Sequence, residues 1–132
     1  MIGESFRATW SPRFLSVLRI IVALLFLQHG LSKYFGFPAS SPASFQVFGL
    51  LGLAGAIEIV ASVLVAIGLF TRTAALIASG EMAVAYFMAH FPKSFFPLVN
   101  GGDAAVLYCF LFLFIALEGG GPWSVDAARS RT

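Results

Sequence analysis

Residues 14–37 read FLSVLRIIVALLFLQHGLSKYFGF, an apolar run with few polar positions. At about 1.5 Å per residue, a helix of this length spans roughly 36 Å, enough to cross the hydrocarbon core of a bilayer, which is about 30 Å thick. Arg19 interrupts the run, and no small-x-small cleavage site follows it directly. We therefore expect a retained membrane span and not a cleaved signal peptide.

The composition of the whole chain also indicates that lipid is its main solvent. Of its 132 residues, 59% are hydrophobic and 11% are charged, whereas a soluble domain of this size needs more charge to cover its surface. The formal net charge of +2 forms no basic stripe, which argues against a nucleic-acid partner. Cys109 is the single cysteine, so an intramolecular disulfide, a covalent haem motif and a cysteine cage for a metal are excluded.

Further apolar runs predict an all-α fold, a polytopic membrane four-helix bundle that forms one transmembrane domain over residues 1–132. After the first span at 14–37, the others are expected at residues 45–70, 73–91 and 101–118. The fourth is the shortest, because its uninterrupted apolar part covers only roughly 21 Å. Its first residues are therefore expected in a wet or protein-lined site.

Residues typical of helix ends separate these runs. Ser41 before Pro42 predicts the N-cap of the second helix, and Thr71 or Thr73 predicts that of the third. Asn100 is followed three positions later by a carboxylate, the spacing that satisfies free amides at a helix N-terminus. The fourth helix is expected to begin there.

The distribution of cations predicts the orientation in the membrane. In a four-span topology, Lys33 and Lys93 fall on one side, and the other side holds Arg7, Arg13, Arg72, Arg129 and Arg131. Cytoplasmic loops carry the excess of Lys and Arg, so both termini are expected in the cytoplasm.

Three ionisable residues lie inside the apolar runs: Arg19, Glu58 and Glu81. Each costs about 2.5 to 3.5 kcal/mol to insert at the centre of a membrane helix, so each is expected to face the bundle and to find a partner. Small residues at helical spacing accompany both glutamates and allow close approach of neighbouring helices. One interpretation is a buried cluster in which Arg19 forms a structural ion pair with a glutamate. The other is a protonatable site beside a ligand pocket.

A second polar group is expected at the opposite ends of the helices, and it contains His29, Lys33, His90, Asn100 and Asp103. Proton exchange with an aqueous phase is chemically feasible there. For Asn100 and Asp103 the spacing favours a helix cap. For the two histidines, hydrogen-bonded interfacial side chains are favoured over metal ligands, because no local ligand spacing is present, and no metal site is predicted.

Taken together, these residues resemble the DoxX family of small bacterial membrane proteins, over about residues 14 to 128. The pieces that carry the resemblance are Arg19 with Gly30 and Lys33, Gly55-Ala-Ile-Glu58, Gly68-Leu-Phe-Thr-Arg72, Glu81-Met-Ala-Val-Ala-Tyr-Phe-Met-Ala-His90, Asn100-Gly-Gly-Asp103 and Gly120-Gly-Pro-Trp-Ser-Val-Asp126. Where the family usually has glutamate after Asn-Gly-Gly, this chain has Asp103, which reaches about one methylene less. The resemblance implies a multi-pass protein of the bacterial inner membrane, with relatives linked to quinone oxidoreduction and oxidative stress.

Three functions follow as hypotheses. The first is a membrane subunit that binds a quinone noncovalently and supports a soluble oxidoreductase partner, with ligand or proton-relay residues drawn from the two polar groups above. The second is a small proton-coupled transporter in which Glu58 and Glu81 protonate. The third is a scaffold without chemistry. The sequence names no catalytic residue and leaves enzyme activity and homo-oligomerisation open.

Overall fold

The computed structural model describes residues 3–39 and 49–132, and in these two ranges every regular element is helical. In chain order the α-helices are α1 Glu4–Phe35, α2 Leu50–Ile67, α3 Thr71–Ala85, α4 Pro97–Asn100, α5 Asp103–Glu118 and α6 Val125–Arg129. A π-helical turn, Tyr86–His90, and a 3₁₀ turn, Phe91–Lys93, continue α3. The predicted all-α class is confirmed.

The four long helices form the bundle. Helix α1 packs mainly along α2, α3 packs mainly along α5, and α2 contacts α3. The core between them is built from small and aromatic side chains, with Phe26 and Phe112 fully buried and their ring centroids 4.8 Å apart. Large apolar side chains cover the outside of the bundle instead, as expected for a surface that faces lipid.

Three helical segments of the described chain are long and apolar enough to cross a membrane: Glu4–Phe35, Leu50–Ile67 and Thr71–Lys93. Helix α5 has 16 residues. That length corresponds to about 24 Å, below the thickness of a typical hydrocarbon core, so the fourth crossing stays a prediction.

The boundaries of the first two helices differ from the predicted spans. Helix α1 begins at Glu4, well before the apolar run, because a helix can continue past the hydrophobic segment that identifies it. It ends at Phe35, where Gly36 adopts a left-handed conformation with φ 65°. Helix α2 ends at Ile67 rather than at residue 70, because Gly68 caps it in the same way, with φ 75°. The predicted start at residue 45 and the Ser41-Pro42 cap lie outside the described residues.

The predicted side-chain caps of the later helices are wrong. Neither Thr71 nor Thr73 caps α3, because Thr71 is already its first helical residue and follows Phe70. The carboxylate of Asp126 caps this end instead, accepting hydrogen bonds from Phe70 N at 2.9 Å and from Thr71 N at 2.8 Å. Asn100 does not cap α5 either, since it ends α4, and Gly102 occupies the N-cap position.

Two glycines bring α1 and α2 close together. A Cβ on Gly30 would lie 2.7 Å from Ile59 Cγ1 and 2.9 Å from Gly55 O. A Cβ on Gly55 would lie 2.8 Å from the Tyr34 ring. The backbone contact requires glycine at residue 30, whereas a Cβ on Gly55 would require the Tyr34 side chain to move.

Candidate functional site

The bundle has two polar ends, named here after one residue each. The Arg19 end holds Arg19, Arg72 and the two terminal segments, because Ser16 Oγ accepts a hydrogen bond from Trp123 N at 3.1 Å. The His90 end holds His29, Lys33, His90 and Asn100. A cavity of about 370 Å³ opens at the His90 end, and its polar lining consists of His29, Lys33, Glu58, Glu81, His90 and Tyr108.

An ion pair lies in this cavity. Lys33 Nζ donates to Glu58 Oε1 at 2.7 Å and to Glu58 Oε2 at 2.6 Å. The side chain of Glu58 is 3% exposed and that of Lys33 is 27% exposed. Both carboxylate oxygens of Glu58 are thus compensated, which is the condition for keeping a charge inside an apolar bundle.

Glu81 lies between this cavity and the bundle surface. Its Oε2 atom is buried and has no hydrogen-bond partner among the residues that the structure describes. The same side chain lines a second cavity of about 340 Å³, an apolar groove formed by α2 and by α3 with its π-helical extension, with walls that include Leu53, Ile57, Ile77 and Val84. Leu51, Ala54, Glu81, Ala85 and Ala89 line both cavities. A polar chamber and a lipid-facing groove therefore meet at Glu81.

His90 is held at the mouth of the polar cavity by a short network. Its Nδ1 lies 3.0 Å from Asn100 O, and its ring stacks on Tyr86 with centroids 6.3 Å apart. Asn100 is buried, donates from Nδ2 to Ser94 O at 2.9 Å and accepts from Gly102 N at 2.8 Å. The π-helical turn presents Tyr86 and His90 to this network, and such turns are frequent at functional sites.

The remaining residues predicted for this end differ in their placement. His29 lines the cavity and meets the Tyr108 ring edge-on, with centroids 5.8 Å apart. Asp103 is exposed in the first turn of α5 and does not line the cavity. The structure thus brings His29, Lys33, Glu58, Glu81 and His90 together and leaves Asp103 outside.

Arg19 lies at the other end of the bundle, so the expected cluster of Arg19 with the two glutamates is wrong. The guanidinium is fully buried and donates to four backbone carbonyls: Gly120 O at 2.8 Å, Val65 O and Ala66 O at 2.5 Å each, and Trp123 O at 2.6 Å. Two of these carbonyls belong to the last turn of α2, and Val65 O also accepts from Gly68 N at 3.1 Å. Arg19 therefore joins α2 to the C-terminal segment.

Comparison with known proteins gives the family. The DoxX family model matches residues 14–91, more than half of the chain. The chain belongs to the DoxX family. This DoxX protein is also 46% identical, over 122 residues, to a protein of Haemophilus influenzae described as an uncharacterized protein, with 89% of this chain and 91% of the relative covered. No solved structure matches it.

Several residues of the DoxX site were missed from the sequence. Tyr86 and Tyr108 were not among the residues predicted for the site, although each has a hydroxyl that needs a partner when buried, and this need was an available signal. Asp126 was recognised only as part of a motif. Its role as the cap of α3 depends on a contact between residues more than fifty positions apart, which no local pattern encodes.

The described part of this DoxX protein contains no group of three or more His, Cys, Asp or Glu side chains placed to hold a metal ion. The two histidines at the His90 end are engaged differently, His29 with an aromatic ring and His90 with a backbone carbonyl.

Proposed function

We propose that this DoxX protein is a membrane subunit that binds a quinone or a similar lipophilic redox molecule at the His90 end of the bundle. One observation carries the proposal: Glu81, with a buried oxygen that has no partner, lies where a polar cavity and a lipid-facing apolar groove meet. A ligand that enters from the bilayer needs this combination, an apolar path and a few convergent polar groups.

The residues present suit such a ligand. The groove between α2 and α3 offers aliphatic walls for a ring and a hydrocarbon tail, and the cavity offers Glu81 and His90 for the ring oxygens. When bound, a quinone would supply two-electron redox chemistry coupled to proton uptake. The chain's own contribution is to hold the ring oxygens, exclude bulk water and place titratable side chains beside them.

The proposal includes a soluble oxidoreductase partner and a location in the bacterial inner membrane, with the Arg19 end in the cytoplasm. Arg7, Arg13 and Arg72 support that orientation, since the Arg19 end carries most of the cations. A role in responses to oxidative stress belongs to the same proposal.

Groove blocking tests the proposal. A Cβ on Gly80, which lines the groove, would meet nothing within 4 Å, so Gly80→Phe is the variant chosen to occupy the groove. We expect wild-type protein to retain extractable quinone and to bind decylubiquinone saturably, and Gly80→Phe to lose at least tenfold in affinity. Gln28→Leu, on the exposed face of α1, is the matched control and should bind as wild type does. Absence of saturable binding to the wild type would reject the proposal.

A further inference from the structure

The first three turns of α1 present an exposed aromatic surface at the Arg19 end. Residues 3–12 are all exposed, and Ser16 is the first buried residue of the helix. Phe6, Trp10 and Phe14 follow one another at intervals of four residues, with neighbouring ring centroids 5.9 and 6.4 Å apart. Their exposed fractions are 50, 41 and 64%. A stripe of this kind is typical of a helix face that contacts lipid or another protein.

Two arginines border these aromatic residues. At about 100° per residue, Phe6, Trp10 and Phe14 span about 80° of the helix surface, and Arg7 and Arg13 lie about 20° outside the two edges. The Arg13 guanidinium lies over the Trp10 ring, with Cζ 5.1 Å from the centroid. A guanidinium in this position can still donate from its N–H groups to a phosphate. We call these five residues the α1 stripe.

The α1 stripe has no negative partner within the described chain. The described residues form one ion pair, at the other end of the bundle, so neither Arg7 nor Arg13 meets a carboxylate. Glu4 lies about 120° round the helix from Trp10. The Arg19 end as a whole has more arginines outside the core than carboxylates: Arg7, Arg13, Arg72, Arg129 and Arg131 against Glu4, Glu118 and Asp126. Charge complementarity therefore indicates an anionic partner.

The level of the membrane surface on α1 follows from the neighbouring helices. Helix α3 with its extension places Arg72 and Lys93 about 32 Å apart, close to the thickness of a hydrocarbon core, so the core ends near Arg72. Gly120 connects this level to α1, because its carbonyl accepts from Ser16 Oγ at 3.4 Å and a Cβ there would lie 2.9 Å from Thr71 Oγ1. The core therefore ends near Ser16 on α1.

Much of the α1 stripe then lies among the lipid headgroups, which occupy about 5 to 8 Å beyond each face of the core. At about 1.5 Å per residue, Phe14 lies about 3 Å beyond Ser16, Arg13 about 5 Å and Trp10 about 9 Å. Arg13 is thus at the depth of the phosphates. Trp10 lies at the membrane interface, where indole rings are enriched.

From this placement we propose that an anionic phospholipid binds to the α1 stripe, with its phosphate hydrogen-bonded to Arg13 and an acyl chain along Phe14. A net negative charge is required, because the cationic group of a zwitterionic headgroup would meet the same arginines unfavourably. A second copy of the chain suits the stripe less well, since a symmetric contact would bring the arginines of both copies together. This lipid site is independent of the proposed ligand site at the His90 end.

Native mass spectrometry of the full chain, released from mixed micelles, tests the proposal by counting bound lipids. The probes are phosphatidylglycerol and phosphatidylcholine with the same acyl chains. We expect phosphatidylglycerol to bind at least about fivefold more tightly, the effect of one cation next to an anionic lipid surface. Raising the ammonium acetate concentration from about 0.05 to about 0.5 M should reduce this preference at least about twofold, because salt screens charges near the surface.

Two variants locate the preference on the α1 stripe. Arg13→Gln removes the guanidinium and should reduce the preference for phosphatidylglycerol to less than about twofold. Trp10→Leu removes the ring against which Arg13 lies and should lower the preference at least about twofold. Arg131→Gln removes the same charge from the C-terminal segment and is the matched control, which should keep the wild-type preference.

Three results would overturn the proposal. The first is equal affinity of the wild type for the two lipids. The second is an equal loss in Arg131→Gln and Arg13→Gln, because the preference would then come from overall charge and not from the stripe. The third is a dimer in the same spectra that dissociates in Trp10→Leu, which would assign the stripe to a second copy of the chain. If Arg13→Gln does not fold, a preference of the wild type that salt leaves unchanged has the same consequence.

Discussion

Arg19 explains how a guanidinium is tolerated inside an apolar bundle without an acidic partner. Its donors reach Val65 O and Ala66 O, carbonyls of the last turn of α2, and two more carbonyls beyond α5. Those carbonyls lie at the C-terminus of α2, and the C-terminus of a helix carries a partial negative charge. A planar group with five N–H donors suits several carbonyls at once, whereas an ammonium donates from a single point.

The pair of Lys33 and Glu58 gives a residue-scale prediction. Lys33→Met leaves the carboxylate of Glu58 buried and uncompensated, so it should lower the free energy of unfolding by about 3 kcal/mol, the usual loss when one partner of a buried pair is removed. The double variant Lys33→Met with Glu58→Leu should recover much of this loss, because no charge then remains inside. Reversible unfolding in mixed micelles measures the wild type, Lys33→Met, Glu58→Leu and the double variant.

Lys93→Met, at an exposed lysine of the 3₁₀ turn, controls for the loss of an ammonium. It should change the free energy of unfolding by less than about 0.5 kcal/mol. Strictly additive losses from Lys33→Met and Glu58→Leu would contradict the pairing.

A charged residue in an apolar run is costly unless it faces the bundle interior and finds a partner. On this basis the sequence identified four residues as buried or functional: Arg19, Lys33, Glu58 and Glu81. It did not identify their partners. Helical spacing gives the face of a helix on which a side chain lies, but pairing also depends on the depth and rotation of the neighbouring helix. For that reason Arg19 was expected to meet a glutamate, and it meets backbone carbonyls instead.

At the scale of the helices, ends are stabilised by side chains distant in sequence. Arg19 does so for the C-terminus of α2, and Arg72 does so for α5, donating to Ala116 O at 3.2 Å, to Leu117 O and to Glu118 O at 3.3 Å. Asp126 does the same for the N-terminus of α3. Each contact places a charge where it opposes the partial charge of the helix end.

The cap that Asp126 forms on α3 predicts that the stability of the protein depends on pH. Partial burial raises the pKa of Asp126, but hydrogen bonds from Thr71 and Phe70 and the charge of Arg129 outweigh this effect and hold the pKa below its ordinary value. A carboxylate whose pKa is lowered by folding stabilises the protein fully above its unfolded-state pKa of about 3.9. This stabilisation is lost as pH falls through the folded-state pKa. Asp126→Asn should therefore destabilise by roughly 1 kcal/mol at neutral pH and by less below about pH 4.

Thermal unfolding of wild type and Asp126→Asn in detergent between neutral pH and pH 3 measures this difference. Asp103→Asn is the matched control, because Asp103 is exposed in the first turn of α5 and makes no side-chain cap. A stability difference for Asp126→Asn that stays constant down to the lowest pH would contradict the assignment of the cap.

The close approach of α1 and α2 gives a prediction with an internal control. Gly30→Ala forces the new Cβ against Ile59 and the backbone of Gly55, so the helices must separate and the protein should lose about 1 to 3 kcal/mol. Gly80→Ala adds the same atom on α3, where nothing lies within 4 Å, and should be neutral or stabilising by up to about 1 kcal/mol. The melting temperatures of both variants are measured in the same detergent. Equal melting temperatures would contradict the close approach of α1 and α2 at Gly30.

At the scale of the whole molecule, hydropathy was sufficient to predict the fold class but not to predict every membrane span. Long apolar runs leave few alternatives to membrane helices, so the bundle was predictable. Helix α5 spans about 24 Å and begins directly after the buried turn around Asn100. Asn100 in that turn is buried in the protein, and its contacts with Tyr86 and Ser94 depend on tertiary structure.

Orientation is the prediction that belongs to the whole molecule. The two terminal segments lie at the same end of the bundle, since Ser16 contacts the segment around Trp123, and that end also holds Arg72. Because cytoplasmic sides carry the excess of arginine and lysine, we expect the Arg19 end to face the cytoplasm. In a Cys109→Ala background, a cysteine introduced as Lys93→Cys should react with a membrane-impermeant maleimide on intact spheroplasts, whereas Ser130→Cys should react only after permeabilisation. The reverse pattern would invert the orientation, and reaction of both cysteines before permeabilisation would place the two ends on the same side and rule out a fourth crossing by α5.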